Sequence, residues 1–129
     1  MKDKTTSQLI QELQPIFNEW VRLKNKGLPC ISCGAPNATD AGHLFKISTH
    51  PEMRFNPMAV HSQCRSCNSL DDGNFEAYCD GLVARYGREY LQEVIQESIR
   101  LRQSNFKWSK SDLKEMILFY RKEIKRLKS

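Results

Sequence analysis

Two Cys-x-x-Cys pairs are the residues of this chain whose spacing most clearly indicates chemistry: Cys30 with Cys33, and Cys64 with Cys67. Each such turn lets two thiolates reach one ion, and two turns together supply the four ligands of a tetrahedral Zn²⁺ site. Four protein ligands leave no position for water or substrate, which predicts a structural zinc ion. A redox-active dithiol is the alternative, but the chain has two pairs and no thioredoxin-like βαβ pattern.

Side chains that could hydrolyse a phosphodiester lie between and beside the two cysteine pairs. A histidine such as His43 titrates near neutrality and can act as a general base, with a hydrogen-bonded structural histidine as the alternative. Asp40 and Asn68 offer the oxygen ligands that Mg²⁺ or Mn²⁺ prefers, and Asn56 and His61 lie in the return segment. A base that deprotonates water and a metal ion that stabilises the departing oxyanion can together hydrolyse a phosphodiester.

Further motifs accompany these residues. They are Leu28-Pro29-Cys30-Ile31-Ser32-Cys33-Gly34, Gly42-His43, Arg54-Phe55-Asn56, Val60-His61-Ser62-Gln63-Cys64, Cys67-Asn68 and Gly73-Asn74. From Leu28 to Gly87 the chain resembles the NinG (Rap) recombination proteins of lambdoid phages, a branch of the HNH, or ββα-metal (His-Me finger), endonucleases. The resemblance implies a zinc-buttressed ββα nuclease fold that acts on branched DNA, such as D-loops and Holliday junctions, during phage recombination.

The resemblance also implies roles for individual residues. By position, His43 corresponds to the general base at the end of the first strand, and Asn68 corresponds to the metal ligand of the third motif. His61 corresponds to a recurring strand histidine that supports the site or contacts the metal. Many HNH enzymes have an Asp or His ligand directly before the base. Gly42 occupies that place here, so Asp40 would have to serve instead.

Two other positions depart from the HNH pattern. The central asparagine that orients the base usually lies five residues before the third cysteine. Ala59 occupies that place, and Asn56 lies nearby. Asp71 stands where relatives often have a lysine, and it is either an extra metal ligand or a charge on a helix surface.

The charge distribution favours a polyanionic partner. The net charge is +5, and residues 85–129 carry 12 basic and 6 acidic side chains, against 8 and 9 in residues 1–84. The densest basic stretch, residues 121–128, suits a DNA or RNA backbone, with a solvated helix face as the alternative. Other basic side chains flank the candidate site and could hold phosphates or contact DNA; these are Lys46, Arg54 and Arg65, with His50 in an exposed loop.

Hydrophobic periodicity predicts a single α+β domain over residues 1–129, mostly α by residue count. The N-terminal helix covers residues 6–26, and Pro15 within it predicts a kink or two shorter helices. The C-terminal part, residues 74–128, is expected to form three helices. Between them lies the zinc core.

The zinc core, residues 28–72, shows turn residues and no sustained helical period. Short extended segments are expected near 40–47 and 53–61, followed by a short helix that begins at Cys64. The expected architecture is therefore a small zinc-buttressed ββα, HNH-like core with flanking helices.

The three C-terminal helices are marked by glycine, capping residues and apolar spacing. Gly87 ends the first, and a Ser109/Asp112 capping pattern with a Trp108–Leu113 staple begins the third. The second, 88–103, is expected to turn inward Leu91, Val94, Ile95, Ser98 and Ile99. The third carries an apolar seam expected to be core or a contact with the first helix: Leu113, Met116, Ile117, Tyr120, Ile124 and Leu127.

Composition predicts a cytoplasmic protein, in the bacterial host cytosol if a phage encodes it. Hydrophobic residues make up 40% and charged residues 27% of the chain, with no apolar stretch of bilayer length and no signal-peptide pattern at the start. No membrane partner is expected. In a reducing compartment paired cysteines more often bind metal than form disulfides, and the unpaired Cys79 is expected to be a small core residue.

Three functions remain as hypotheses. The first is a metal-dependent DNA endonuclease, with His43 as base and a divalent ion at Asp40 and Asn68. The second is a non-catalytic zinc module that binds nucleic acid through the basic C-terminal half. The third is a protein-interaction domain that uses the apolar seam, which leaves a homodimer open.

Overall fold

Four helices flank a two-stranded antiparallel sheet in the part of the chain that the computed structural model describes, residues 3–70 and 74–129. The elements are α1 (Thr6–Lys24), β1 (Asp40–His43), β2 (Val60–Gln63), α2 (Phe75–Tyr86), α3 (Arg88–Gln103) and α4 (Lys110–Lys128). Short helical turns lie at Pro51–Met53, Pro57–Ala59 and Ser66–Leu70. The predicted class, α+β with mostly α-helix, is confirmed. No helix within the described ranges is long and apolar enough to cross a membrane.

The two faces of the sheet contact different helices. The strands pair in a register that places Gly42 opposite His61 and His43 opposite Val60. Because side chains alternate along a strand, Ala41, His43 and Val60 share one face. Ala41 and Val60 belong to the core formed with α1 and α4. On the other side, the Tyr78 hydroxyl of α2 donates a hydrogen bond to the Gly42 carbonyl at 2.7 Å. The sheet is therefore covered by α1 on one face and α2 on the other.

Helices α1 and α4 form the larger core. Thr5 and Gln8 exchange the two hydrogen bonds of a capping box at the start of α1, and the Ser109 hydroxyl accepts from the Asp112 amide at the start of α4. The predicted seam of α4 packs here against Leu9, Leu13, Phe17, Trp20 and Val21 of α1. The seam is therefore a contact with the first helix, one of the two roles predicted for it.

A second core lies between residues 31–59 on one side and the helices α2 and α3 on the other. Its buried members are Ile31, Leu44, Met53, Ala59, Tyr78, Leu82 and Val94, and Cys79 packs against them half-buried, as predicted. Gly81 makes this approach possible, because a Cβ there would lie 1.7 Å from the carbonyl oxygen of Ile31. Helix α2 thus contacts the backbone of the first Cys-x-x-Cys turn directly.

Two predictions that involve proline differ from the structure. The second extended segment, expected near 53–61, is strand only over Val60–Gln63. Pro51 and Pro57 each begin a short 3-10 turn, since proline lacks the amide hydrogen that a sheet ladder requires. The first helix continues through Pro15 as one element, so of the two expected outcomes, a kink or two shorter helices, the second is wrong.

Helix α3 buries a narrower strip than its periodicity predicts. Val94 and Ser98 are buried, but Ile95 and Ile99 are 36% and 41% exposed. The reason is that α3 packs mainly against α2 and the turn at Pro51–Met53, which leave the side of Ile95 and Ile99 largely uncovered. The inward placement of these two isoleucines was therefore wrong.

Candidate functional site

The four paired cysteines form a cluster that fits a metal ion. Their sulfur atoms all lie within 4.8 Å of one another, and the Sγ atoms of Cys33 and Cys64 are 3.7 Å apart. A tetrahedral zinc ion with Zn–S bonds of about 2.3 Å has S–S edges of about 3.8 Å. Cys30, Cys64 and Cys67 are buried and Cys33 is exposed. The four cysteines can therefore hold a structural metal ion such as zinc, as predicted.

Hydrogen-bond donors surround the sulfur atoms. The amide of Cys33 donates to the Cys30 sulfur, the amide of Cys67 donates to the Cys64 sulfur, and the Asn74 side chain donates to the Cys67 sulfur, each at 3.5 Å. Burial raises the pKa of Cys30, but backbone donors outweigh it and lower the pKa to about 7. Burial and the neighbouring thiols raise the pKa of Cys67 to about 12 despite Asn74. Four thiolates at this spacing would repel one another without a cation between them.

The cysteine turns are tied to the sheet. The Ile31 amide donates to the carbonyl of Ser62 in β2 at 3.0 Å, and the Gln63 side-chain amide donates to the Ser32 hydroxyl at 2.8 Å. A metal that joins the two turns would therefore also hold β2 in position. Because β2 pairs with β1, the metal would also fix the position of β1.

Asp40 and Asn68 lie in contact, together with Arg65. The Asn68 side-chain amide donates to Asp40 Oδ2 at 3.1 Å, and Arg65 donates to both Asp40 oxygens at 2.9 and 3.3 Å. Burial raises the pKa of Asp40, while Arg65 and Asn68 outweigh it and lower the pKa. Asp40 is therefore ionised, and Arg65 already balances its charge. The predicted alternative ligand Asp71 lies outside the described residues, as does Gly73.

His43 is oriented by the backbone carbonyl of Arg54, the residue that follows the turn at Pro51–Met53. Its Nε2 lies 2.9 Å from the carbonyl oxygen of Arg54. A carbonyl oxygen only accepts hydrogen bonds, so Nε2 carries the proton and Nδ1 keeps its lone pair. Among the described residues, no hydrogen-bond partner contacts Nδ1. Burial lowers the pKa of His43, although the Arg54 carbonyl partly opposes it. The imidazole is thus a neutral base at pH 7.

The candidate base and the candidate ligands lie at opposite ends of β1. Asp40 begins the strand and His43 ends it, which separates their Cα atoms by about 10 Å. Strand alternation also directs the two side chains to opposite faces. Gly42, between them, cannot carry a ligand in this packing, because a Cβ there would lie 1.9 Å from Oε1 of buried Gln63. The structure therefore brings Asp40 and Asn68 together but does not join them to His43.

Asn56 has a local structural role. Its side-chain oxygen accepts from the Met58 amide at 2.9 Å and caps the turn at Pro57–Ala59. This turn leads into β2, and Arg54, which holds His43, is two residues upstream of Asn56. Asn56 therefore shapes the segment that orients His43 without contacting that ring in the described structure.

His61 lies in the interior, between the tyrosines of α2 and α3. Its ring nitrogens are 3.3 Å from the hydroxyls of Tyr78 and Tyr90, and the residue is 4% exposed. Burial, followed by the positive charges of Lys24 and Arg85, lowers its pKa to about 4. The role of His61 toward the site stays a prediction, and its contacts here are those of a neutral core histidine.

We expect this histidine to make the fold sensitive to acid. Its pKa is about 4 in the folded chain and 6.5 as the reference value, so the unfolded state binds more protons between these limits. The contribution is fully present above pH 6.5 and falls by at most about 3 kcal/mol as pH drops to 4. Urea unfolding at pH 7, 5.5 and 4.5 should show a smaller loss for His61→Gln than for the wild type. Equal losses would contradict the expectation.

The basic C-terminal stretch is largely engaged within the protein. Lys128 pairs with Glu19 at 2.8 Å and Arg121 pairs with Glu12 at 3.2 Å, both across the α1–α4 contact. Arg126 pairs with Glu123 on α4 itself. These pairs favour the solvated helix face over a dedicated nucleic-acid surface. Sequence reasoning missed the two pairs with α1 because their partners lie about 100 residues away along the chain.

Near the sheet, the predicted basic residues take different positions. Arg54 is half-buried and its Nε donates to Gln14 of α1, while Arg65 is exposed and paired with Asp40. Lys46 is exposed. His50 is half-buried rather than exposed in its loop, because its ring stacks on Phe45 with centroids 4.8 Å apart.

Comparison with known proteins identifies the family. The family model described as Bacteriophage Lambda NinG protein matches residues 1–129. The chain belongs to the NinG family. It is 32% identical to the protein ninG of Escherichia phage lambda over 128 residues. The matched region covers 98% of this chain and 60% of that relative. The chain is 31% identical over 127 residues to the protein ninG of Salmonella phage P22, with 97% and 60% covered.

Membership of the NinG family confirms the resemblance to NinG proteins inferred from the motifs. The chain spans about 60% of the length of these curated NinG relatives. No solved structure matches the chain. The cysteine cluster and the orientation of His43 are therefore the geometric observations on which an activity of this chain can be proposed.

Proposed function

We propose that this NinG family member is a metal-dependent DNA endonuclease of the HNH type, acting on branched recombination intermediates. The observation that carries the proposal is the orientation of His43. Its Nε2 hydrogen is donated to the Arg54 carbonyl, which leaves the Nδ1 lone pair of this half-buried ring without a hydrogen-bond partner among the described residues. The alternative structural role would not require a neutral ring with one unengaged nitrogen.

The chemistry follows from this tautomer. Nδ1 accepts a proton from a water molecule whose oxygen forms a bond to the scissile phosphorus. The ester oxygen leaves with the electron pair of the broken P–O bond and takes a proton from solvent. The Arg54 carbonyl stabilises the imidazolium that forms, since both ring nitrogens then donate hydrogen bonds.

The order of elements supports an HNH assignment. Strands β1 and β2 are followed by the helical turn Ser66–Leu70 and then by α2, a strand–strand–helix order compatible with a ββα unit. The Cys-x-x-Cys turns stand before β1 and after β2, where a metal would clamp the unit. A small, rigid support of this kind holds a base in one orientation.

Asp40 and Asn68 are the side chains we propose for a catalytic divalent ion. Their carboxylate and amide oxygens suit Mg²⁺ or Mn²⁺, and such an ion, when bound, supplies positive charge to the phosphate oxygens of the DNA. Arg65 occupies both Asp40 oxygens and would have to release them. The Arg65 side chain is 75% exposed, so solvent screens its attraction to Asp40, whose side chain is 14% exposed. An ion can therefore compete with it.

The test is cleavage of linear, nicked, supercoiled and four-way DNA by the purified protein, with Mn²⁺ varied from zero. We expect Asp40→Asn to raise the Mn²⁺ concentration for half-maximal cleavage about tenfold or more. Arg65→Gln should lower it, because the competing cation is removed. Unchanged Mn²⁺ dependence in both variants would exclude Asp40 as a ligand, and absence of cleavage by the wild type would overturn the proposal.

A non-catalytic zinc module that binds nucleic acid is the second candidate. It is favoured by Gly42, whose packing against Gln63 excludes a metal ligand beside His43, and by the separation of Asp40 from His43. This function predicts binding that weakens with salt and no cleavage that depends on divalent ions. The same assays therefore distinguish the two candidates.

A further inference from the structure

A small aromatic cluster lies directly after β1, outside the site described above. It consists of Phe45, His50 and Phe75, which we name the stacking platform. The Phe45 and His50 rings are stacked at a centroid distance of 4.8 Å and an interplanar angle of 22°. The Phe75 ring lies 6.3 Å from Phe45 and is tilted by 46°. Two of the three rings thus already show the parallel geometry in which planar rings stack.

The platform is fixed to the core through Phe45 and exposed to solvent at Phe75. Phe45 is half-buried and packs against the core that contains Leu44 and Tyr78. Phe75 is 50% exposed, and the preceding residue, Asn74, donates to the Cys67 sulfur at 3.5 Å. A large aromatic side chain that is half-exposed at a fixed position does not contribute fully to the core. Its exposed face is therefore available to a ligand.

A positive charge lies at the edge of the platform. Arg102 Nη1 lies 3.3 Å from Nε2 of His50, and guanidinium groups only donate hydrogen bonds. Nε2 is therefore the acceptor, and the Nδ1 hydrogen of His50 is donated to Thr49 Oγ1 at 2.9 Å. Arg102 is exposed, and no carboxylate within residues 3–70 and 74–129 forms an ion pair with it. The positive charge of this guanidinium can therefore pair with a phosphate.

We propose that the stacking platform binds an unpaired nucleobase of DNA, with the adjoining phosphate at Arg102. Aromatic side chains beside a cation are the combination that binds single-stranded nucleic acid, since every base offers a π-face and every nucleotide a phosphate. Bases within a duplex are already stacked on their neighbours and do not offer their faces. The platform therefore selects DNA with an unpaired nucleotide at or near a branch. That the polymer is DNA rests on the proposed function.

The position of the platform relates it to the candidate base. Phe45 is two residues beyond His43, on the segment that leaves the end of β1. A nucleotide stacked on Phe45 and Phe75 would place its neighbouring phosphates near the end of that strand. The platform would therefore position a strand that carries an unpaired base relative to His43.

The test uses a forked duplex with 2-aminopurine in the unpaired arm beside the branch, in EDTA-free buffer without Mg²⁺ or Mn²⁺ so that the DNA stays intact. Stacking quenches 2-aminopurine fluorescence, and anisotropy of a separate dye gives affinity. We expect Phe75→Leu to lose most of the quenching and to bind the fork about tenfold more weakly, with duplex binding unchanged. Leucine keeps the apolar surface without the π-face, so a purely apolar contact would survive this change. Phe75→Trp should retain quenching.

Phe119 supplies the matched control. It is a phenylalanine of similar exposure, 55%, packed on one aromatic neighbour, Tyr120, at 5.0 Å on α4. Phe119→Leu should leave quenching and fork affinity unchanged. Arg102→Gln should weaken fork binding and reduce the salt dependence by about one phosphate contact. Thermal unfolding of each variant checks that the fold is kept.

The outcomes separate this inference from the proposed function. Equal fork binding and quenching for Phe75→Leu and Phe119→Leu overturns the platform, even where the wild type cuts DNA. Quenching that depends on Phe75, without cleavage under any divalent ion, supports the platform and overturns the endonuclease. Failure of the wild type to bind any of the DNAs overturns both.

Discussion

Removal of zinc is expected to unfold the region around the sheet. The strands have four residues each, and a sheet of this size does not persist without further support. Structural zinc sites supply about 10–16 kcal/mol of apparent binding free energy, comparable to the whole stability of a domain, about 5–15 kcal/mol. We expect one zinc per chain by native mass spectrometry. Loss of the metal should abolish the amide dispersion of β1 and β2 in NMR spectra.

Substitution of a single cysteine should have the same effect as chelation. Cys64→Ser replaces a buried ligand of the cluster, whereas Cys79→Ser changes a half-buried cysteine outside it and is the matched control. The first variant should lose zinc and the sheet, and the second should keep both. The prediction would be refuted by a purified wild-type chain that holds no zinc but still contains β1 and β2 in its folded state and unfolds from that state in one cooperative transition.

Replacement of His43 by alanine should reduce cleavage about 10²–10⁴-fold, the usual contribution of a general base. The fold should be kept, because the ring makes one hydrogen bond to the Arg54 carbonyl, and such a bond contributes about 1 kcal/mol to stability. The initial rate of nicking of supercoiled DNA, with thermal unfolding measured in parallel, gives both quantities. A variant that cleaves at the wild-type rate would remove His43 from the mechanism.

The pH dependence of cleavage gives a second readout of the same role. The base acts in its neutral form, and burial holds the pKa of His43 below the reference value of 6.5. The rate should therefore be independent of this group above pH 6.5 and fall as pH drops through the lowered pKa. Added imidazole should restore part of the activity of His43→Ala, since it supplies a base without a structural contact. Loss of activity with an unchanged acid limb and no rescue would indicate a structural histidine.

Local patterns allowed several parts of this chain to be predicted. The Cys-x-x-Cys spacing indicates two turns whatever the rest of the fold, and Ser109 caps α4 through a hydrogen bond to a residue three positions away. The apolar seam of α4 faces α1 because a helix must bury its apolar stripe. In each case the interaction that decides the structure lies within a few residues, or follows from the period alone.

Other features depend on contacts between distant residues. Arg65 lies beside Asp40 across 25 residues, the Arg54 carbonyl orients His43 across 11, and Arg102 reaches His50 across 52. Residue types identified these side chains as charged or titratable, but they gave no pairing. The basic stretch of α4 is the clearest example, because the acids of α1 that pair with Arg121 and Lys128 are visible only once the two helices are packed.

The sequence by itself determined the cysteine frame, the helices and the family, because these rest on residue types at short, regular spacing. The tertiary structure decided which side chains meet. It paired Asp40 with Asn68 and Arg65, placed His43 on the opposite face with one nitrogen unengaged, and put His61 in the core. The physical reason is that the sheet register and the packing of α1 and α2 on the sheet bring these side chains together, and spacing along the chain does not reveal either.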